Sequence, residues 1–481
     1  MFDLRNIFSS DKKKAALSKT AVAELLKTSP EALEAFERAY AAQALNYTNV
    51  SDNLFDINAK QASKLRSHEA EVTDVADTRK VDSLVSRIVD ELLTQTPVYR
   101  YVNQQGCDWA VPELPESLTI SRVDRAEIEV LPESQRPQLT GYLMMKDINE
   151  DSYQVLLWMY QEYLKANNSR KQQIFYNQFR QGLDILDLDP ITYEIIGTNP
   201  NSMGYWLPRL VCAVKQQSFF KVPDTTIIKV PLTLLQLTRQ DYGSLTPTTL
   251  RIVDEFCQKV FELDESKDYF IKTGTYSSKF DFRNCHVYGS KEVRELGEYL
   301  LYIHFQALQM ASPLSNPSIY GVSTTNEWVV REFIEDKENN PTIYKGLPLH
   351  TEYRVFVDFD ECKVIGMNPY WDPAVMKQRF GHEADANSPH QIHDYIVFQM
   401  HEETLMHRYE KNKGIVKEKI ESMLPNIELS GQWSIDIMEN GTDFYIIDMA
   451  IAANSALNHC VPKNMLKQPQ EDWMPKIPAE I

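Results

Sequence analysis

Residues 434–450 read SIDIMENGTDFYIIDMA, two apolar runs around an Asn-Gly-Thr turn, each run carrying one aspartate, Asp436 and Asp448. An apolar strand that holds an acid needs a reason for it, and register decides what the two acids do. Cross-strand partners share a face of a sheet. A two-residue loop at Asn440-Gly441 pairs Asp436 with Tyr445 and Asp448 with Trp433, which puts the acids on opposite faces. A three-residue loop, Asn440 to Thr442, sets Asp436 against Ile446 and Asp448 against Ser434. The acids are then diagonal neighbours on one face, ~7–8 Å apart at the backbone and able to clamp a cation between carboxylates.

Three upstream stretches also place charge on apolar strands. In DYFIKTGTYSSKFDFR, residues 268–283, Lys272 ends an apolar run before a Gly/Thr/Ser loop that contains Ser277, Ser278 and Lys279. Backbone N–H groups of such a loop suit phosphate oxygens, and the lysines suit their charge. A plain hairpin turn with solvated lysines reads the same letters. EWVVREFIE, residues 327–335, carries Arg331 and Glu332 inside a strand: a segment able to present backbone groups to a purine edge, or an edge strand with a wet face. In HTEYRVFVDFDECKVIGMN, residues 350–368, Glu352, Arg354 and Phe356 share one face of a hairpin strand. Arg354 fits a phosphate fork, or a side chain that snorkels to the surface.

In this order the pieces resemble the ATP-grasp superfamily, and within it the eukaryotic cell-division-cycle family that assembles a heterotrimeric translation initiation factor. The likeness spans roughly residues 225–460. It implies an α+β fold in which two subdomains sandwich ATP, with Mg2+ bridging the phosphates. Carried over by position, it gives Lys272 a phosphate and adenine contact and Arg354 a grip on the phosphates, the two catalytic candidates. Ser277, Ser278 and Lys279 become the covering loop, and Arg331, Glu332, Phe333 and Ile334 the adenine-side strand. Asp436 and Asp448 become metal ligands, and Lys229 in TTIIKVP a further basic contact. The family ends in D-x-N, whereas here Ala450 follows Asp448 by two, leaving Asn454 as the substitute ligand. The activity implied is an ATP-dependent carboxylate–amine ligase acting through an acyl phosphate, on an unknown carboxylate or amine that includes proteins and peptides. The alternatives are an ATP-dependent assembly factor with a protein client, or a catalytically degenerate nucleotide-binding protein.

Bulk properties bound the rest. A chain of 481 residues exceeds a single core, so several domains are expected: a helical region at 1–97, a small mixed α/β region at 98–225 and the ATP-grasp domain at 226–481. Helices are expected from Ser29, from about 151 to 185, and through TRKVDSLVSRIVDELL, where Val81, Leu84, Ile88 and Leu92 form a stripe. The net charge of −18 excludes a general binder of nucleic acid or anionic membrane. Six unpaired-looking cysteines, no signal peptide and no run of about 18 apolar residues point to a cytoplasmic protein without a membrane span. There is no G-x-x-x-x-G-K-[ST], no G-x-G-x-x-G and no G-x-S-x-G. His401 and His407 stand six apart, not the four that sets two imidazoles on one helical face, so the histidine cluster is read as surface and packing rather than metal.

Overall fold

In a computed structural model, the described residues are 75–94, 96–102, 105–106, 130–132, 135–137, 196–197, 199–238, 245–311, 325–380 and 389–467. The expected helices at 29–45 and 151–185 and most of the expected mixed region between 107 and 195 lie outside them. The fold is α+β, built on two sheets.

The first sheet has six strands in the order β2-β1-β4-β7-β5-β6. These are β1 (Val98–Val102), β2 (Gln105–Gly106), β4 (Thr225–Lys229), β5 (Tyr269–Thr273), β6 (His286–Val287) and β7 (Glu327–Glu332). Period-two alternation gives it two buried faces. Ile228, Ile271, Trp328 and Val330 point to one side. There they meet α1 (Val75–Thr94), α4 (Pro247–Val260) and α6 (Leu296–Ala311). The α1 stripe is as expected, with Leu84, Ile88 and Leu92 all buried in this layer. Ile227 and Val329 point the other way, toward the second sheet.

That sheet has five strands in the order β11-β10-β12-β13-β3. They are β3 (Phe220–Lys221), β10 (Thr351–Asp358), β11 (Lys363–Pro369), β12 (Gln432–Asn440) and β13 (Asp443–Ile451). Tyr353, Val355, Ile435 and Ile437 pack onto α2 (Met203–Lys215) and onto Tyr409, Val416 and Ile420 of the long α8 (Pro389–Met423). The remaining elements are α3 (Leu232–Leu237), α5 (Gly289–Arg294), α7 (Pro373–Phe380) and the pair β8 (Thr342–Ile343) and β9 (Leu347–Pro348).

Residue 225 does not separate the sheets. β1, from the expected middle region, pairs with β4, and β3, just before 225, pairs with β13. The helix α2 hid in sequence because Pro208 sits inside it, where proline ordinarily breaks a helix. Buried Trp206, Leu207, Leu210 and Val214 hold it, and its Gly204 N–H donates to Glu327 Oε2 at 2.9 Å.

Glu327 also organises the loop after β5. The Gly274 N–H donates to the Glu327 carbonyl at 3.0 Å, and the Thr273 hydroxyl accepts from the N–H groups of Thr275 and Tyr276. A Cβ on Gly274 would stand 2.6 Å from Glu327 Oε2 and 2.8 Å from Thr325 Oγ1. Glu327 cannot give way, since it is fully buried and paired with Lys229 at 2.7 Å. Gly274→Ala is therefore expected to cost about 1–3 kcal/mol in urea unfolding, the usual range for overpacking.

Candidate functional site

A cleft opens between the two sheets, and β5, β7, β10, β12 and β13 each place side chains in it. Its lining is apolar at Pro223, Phe270, Phe282, Phe333, Leu347 and Met438, and charged at Lys272, Lys279, Arg331, Glu332, Glu352, Asp436 and Asp448. Such a pairing suits a ligand with a flat apolar part and an anionic tail.

The hairpin that ends the domain makes neither of the two expected turns. Asn440 pairs with Asp443, so the loop is Gly441-Thr442, and Gly441 takes a positive φ of 67° that favours glycine. On its own this register would set Asp448 opposite Ile435. A β-bulge intervenes: Ile437 faces Ile446, Ile447 is skipped, and Asp436 faces Asp448 directly. The three-residue loop is thus corrected, while the consequence expected of it, two acids on one face, is reached by adding the extra residue inside β13. Arg354 pairs with Asp436 on the other side, and Asn368 with Arg354. A polar row, Asn368–Arg354–Asp436–Asp448, crosses four strands.

Every charge in this row is engaged. Arg354 grips Asp436 with two parallel bonds, Nε to Oδ1 at 2.8 Å and Nη2 to Oδ2 at 2.6 Å. Its guanidinium carbon lies 4.7 Å from the Tyr370 ring centroid. Burial opposes the Arg354 charge, but Asp436 outweighs it and holds the guanidinium protonated beyond its ordinary range. Lys272, only 2% exposed, crosses from the first sheet to donate to Asp448 Oδ2 at 3.1 Å. Burial, helped by the Arg331 and Lys279 charges, lowers the Lys272 ammonium despite Asp448. Lys279 donates to the Tyr370 hydroxyl and lies 3.9 Å from that ring's centroid.

Glu352 completes the charged lining. It is 5% exposed, and burial pushes its carboxyl up to about 7, with Lys279 opposing and Asp436 assisting. A carboxyl raised in the folded state binds a proton that the unfolded chain releases. Stability is then highest below the unfolded value near 4.5 and falls as pH rises toward 7. From pH 5 to pH 8 in metal-free buffer, Glu352→Gln should gain roughly 3 kcal/mol relative to the native chain, read by urea unfolding.

The cleft brings together Lys272, Ser277, Lys279, Arg331, Glu332, Phe333, Ile334, Asp436 and Asp448, with Arg354 beside them on Asp436. Three expected residues are placed elsewhere. Lys229 is held by Glu327, the Asn326 side chain and the Gly197 carbonyl. The Ser278 hydroxyl donates to Gln306 Oε1 at 2.7 Å, on the side of α6. Asn454 Oδ1 accepts from Asn201 Nδ2 at 3.2 Å and does not line the cleft. The loop N–H groups of Gly274, Thr275 and Tyr276, expected to meet phosphate, are spent on Glu327 and Thr273. His401 contacts Asn340 at 3.2 Å, and among the described residues no group of three or more His, Cys, Asp or Glu side chains is arranged to hold a metal.

Sequence reading passed over Glu352 as a site residue, although period two from Arg354 puts it on the same face; Tyr370, Phe282 and Met438 gave no local signal. Among the described residues no helix is long and apolar enough to cross a membrane.

No protein-family model matches the chain, and no curated protein matches it. Solved structures similar to it include the C-terminally truncated Cdc123 from Schizosaccharomyces pombe, at 11% identity and a TM-score of 0.31 over 56% of this chain and 94% of that one. Cdc123 from Schizosaccharomyces pombe is similar at 12% identity and a TM-score of 0.33, over 57% of this chain and 95% of that one.

Proposed function

We propose that the cleft binds ATP together with Mg2+ in the manner of an ATP-grasp protein. The observation that carries this is the direct Asp436/Asp448 pairing, ringed by Lys272, Lys279, Arg331 and Arg354 and continuous with an apolar slot. Each carboxylate has one cationic partner, Arg354 on Asp436 and Lys272 on Asp448, and a divalent ion shared by the two acids would take the place of the lysine. Lys272, Lys279 and Arg331 line the same cleft as Glu332, Glu352, Asp436 and Asp448, with Arg354 beside them on Asp436, and ammonium and guanidinium donors of this kind suit phosphate oxygens. The donor set therefore fits both partners.

In this reading Asp436 and Asp448 would hold the metal, which would supply charge neutralisation on the phosphates. Lys272, now on Asp448, would be free to turn to a phosphate oxygen, and Lys279 and Arg354 would add positive charge beside it. Phe270, Phe333 and Met438 take the base, at the point where β7 ends and Ile334 leaves the ladder. Ala450 stands where a third carboxamide ligand would complete the set, opposite Ser434. That favours nucleotide binding over rapid ligase turnover.

Millimolar Mg-ATP should raise the unfolding temperature, since a ligand present at a hundred times its Kd adds about 2.7 kcal/mol to the folded state. The absence of any shift would refute the nucleotide site. ADP release on adding an amino acid or peptide amine would instead favour the ligase.

A further inference from the structure

Arg331 is 4% exposed, yet it is not an ordinary buried ion-pair partner. Its Nε donates to Thr225 Oγ1 at 3.2 Å, and its Nη1 donates to the Ile447 carbonyl at 2.7 Å. Its Nη2 is buried without a hydrogen-bond partner among the described residues. Ile447 is the residue that β13 skips in its pairing with β12. Arg331 thus ties the first sheet to the single irregularity that decides where Asp448 points.

Burying a guanidinium with one nitrogen unsatisfied costs free energy, and an apolar side chain of similar volume would serve packing better. The position needs another reason. Without the bulge, Asp436 would face Ile447 and Asp448 would face Ile435, on opposite sides of the sheet. We infer that Arg331 is a positioning residue: it clasps the Ile447 bulge and so keeps Asp436 and Asp448 together for a divalent cation. As it also lines the cleft, it couples occupancy of the nucleotide slot to assembly of the metal pair. This inference rests on the nucleotide reading for its ligand, but not for the clasp itself.

The test has two arms on the full chain. In the first, amide hydrogen exchange is measured on the ligand-free protein. Losing a hydrogen bond from a charged donor should speed exchange at residues 446–449 in Arg331→Met by roughly tenfold or more. The hairpin tip at 438–445 should not change. Arg331→Lys, able to reach one of the two acceptors, should restore part of the protection. Were Arg331→Met not to fold, Thr225→Val frees the Nε end and should show the same rise at smaller amplitude.

In the second arm, ADP is titrated with and without Mg2+. The native chain should bind ADP at least about tenfold tighter with the metal. In Arg331→Met that ratio should collapse toward one, taken against the variant's own metal-free ADP affinity, which the loss of a cleft cation lowers separately. Unchanged exchange at 446–449 would overturn the clasp. Faster exchange with a native metal ratio would overturn its role in metal binding. A native chain that binds no ADP would overturn the nucleotide reading, and the clasp would then stand or fall on the exchange arm.

Discussion

Lys272→Met is expected to remove most of the stabilisation of this protein by Mg-ATP while leaving its fold intact. The ammonium is nearly inaccessible, and its one carboxylate partner, Asp448, keeps 39% of its side chain exposed. Methionine matches the stem of lysine and removes a charge that burial and two neighbouring cations already disfavour. The carboxylate left behind stays hydrated, so the ligand-free cost should be about 1 kcal/mol rather than the 3–5 kcal/mol of a stranded buried charge. Nucleotide affinity behaves differently. A charge-assisted bond to phosphate in a cleft is worth about 2–3 kcal/mol, so binding should weaken roughly hundredfold. Differential scanning fluorimetry with and without Mg-ATP reads both quantities. A native-sized shift in this variant would remove Lys272 from the site.

Asp436→Asn should have the largest effect on stability. Arg354 spends two bonds on Asp436 and has 13% of its side chain exposed, so the variant leaves a largely buried guanidinium without its carboxylate partner. About 3–5 kcal/mol should be lost, a large share of an ordinary domain's total stability. The double variant Arg354→Met/Asp436→Asn has no charge to strand and should recover most of it. A double-mutant cycle by urea unfolding should therefore show strong coupling, and additive losses would mean the pair is not a unit. Neither variant should respond to Mg2+ in nucleotide binding.

Much of this cleft is legible in sequence because each charged residue sits on a strand whose apolar neighbours fix its face. Lys272, Arg331, Arg354, Asp436 and Asp448 all announce themselves as charges within apolar runs, and period two then aims them. The bulge did not announce itself. Ile446-Ile447 reads as uninterrupted strand, and the irregularity is held by Arg331 from a different sheet, more than a hundred residues away. The small-residue loop misled in the opposite sense: glycine at 274 reads as room for phosphate, whereas its missing Cβ makes room for Glu327. Residue 225 looked like a boundary because strand and helix patterns begin to alternate from there, but sheets pair across it. Pro208 argued against a helix that burial of Trp206 and Leu207 nonetheless enforces.

The central claim is that Asp436 and Asp448 share one cation beside a nucleotide. Co-crystals with Mn2+ and a non-hydrolysable ATP analogue test it most directly, through the anomalous signal of the metal. A single strong anomalous peak touching both carboxylates is expected, with Lys272 turned from Asp448 to an oxygen of the analogue. A peak elsewhere, or nucleotide bound with Lys272 still on Asp448 and no metal between the aspartates, would contradict it.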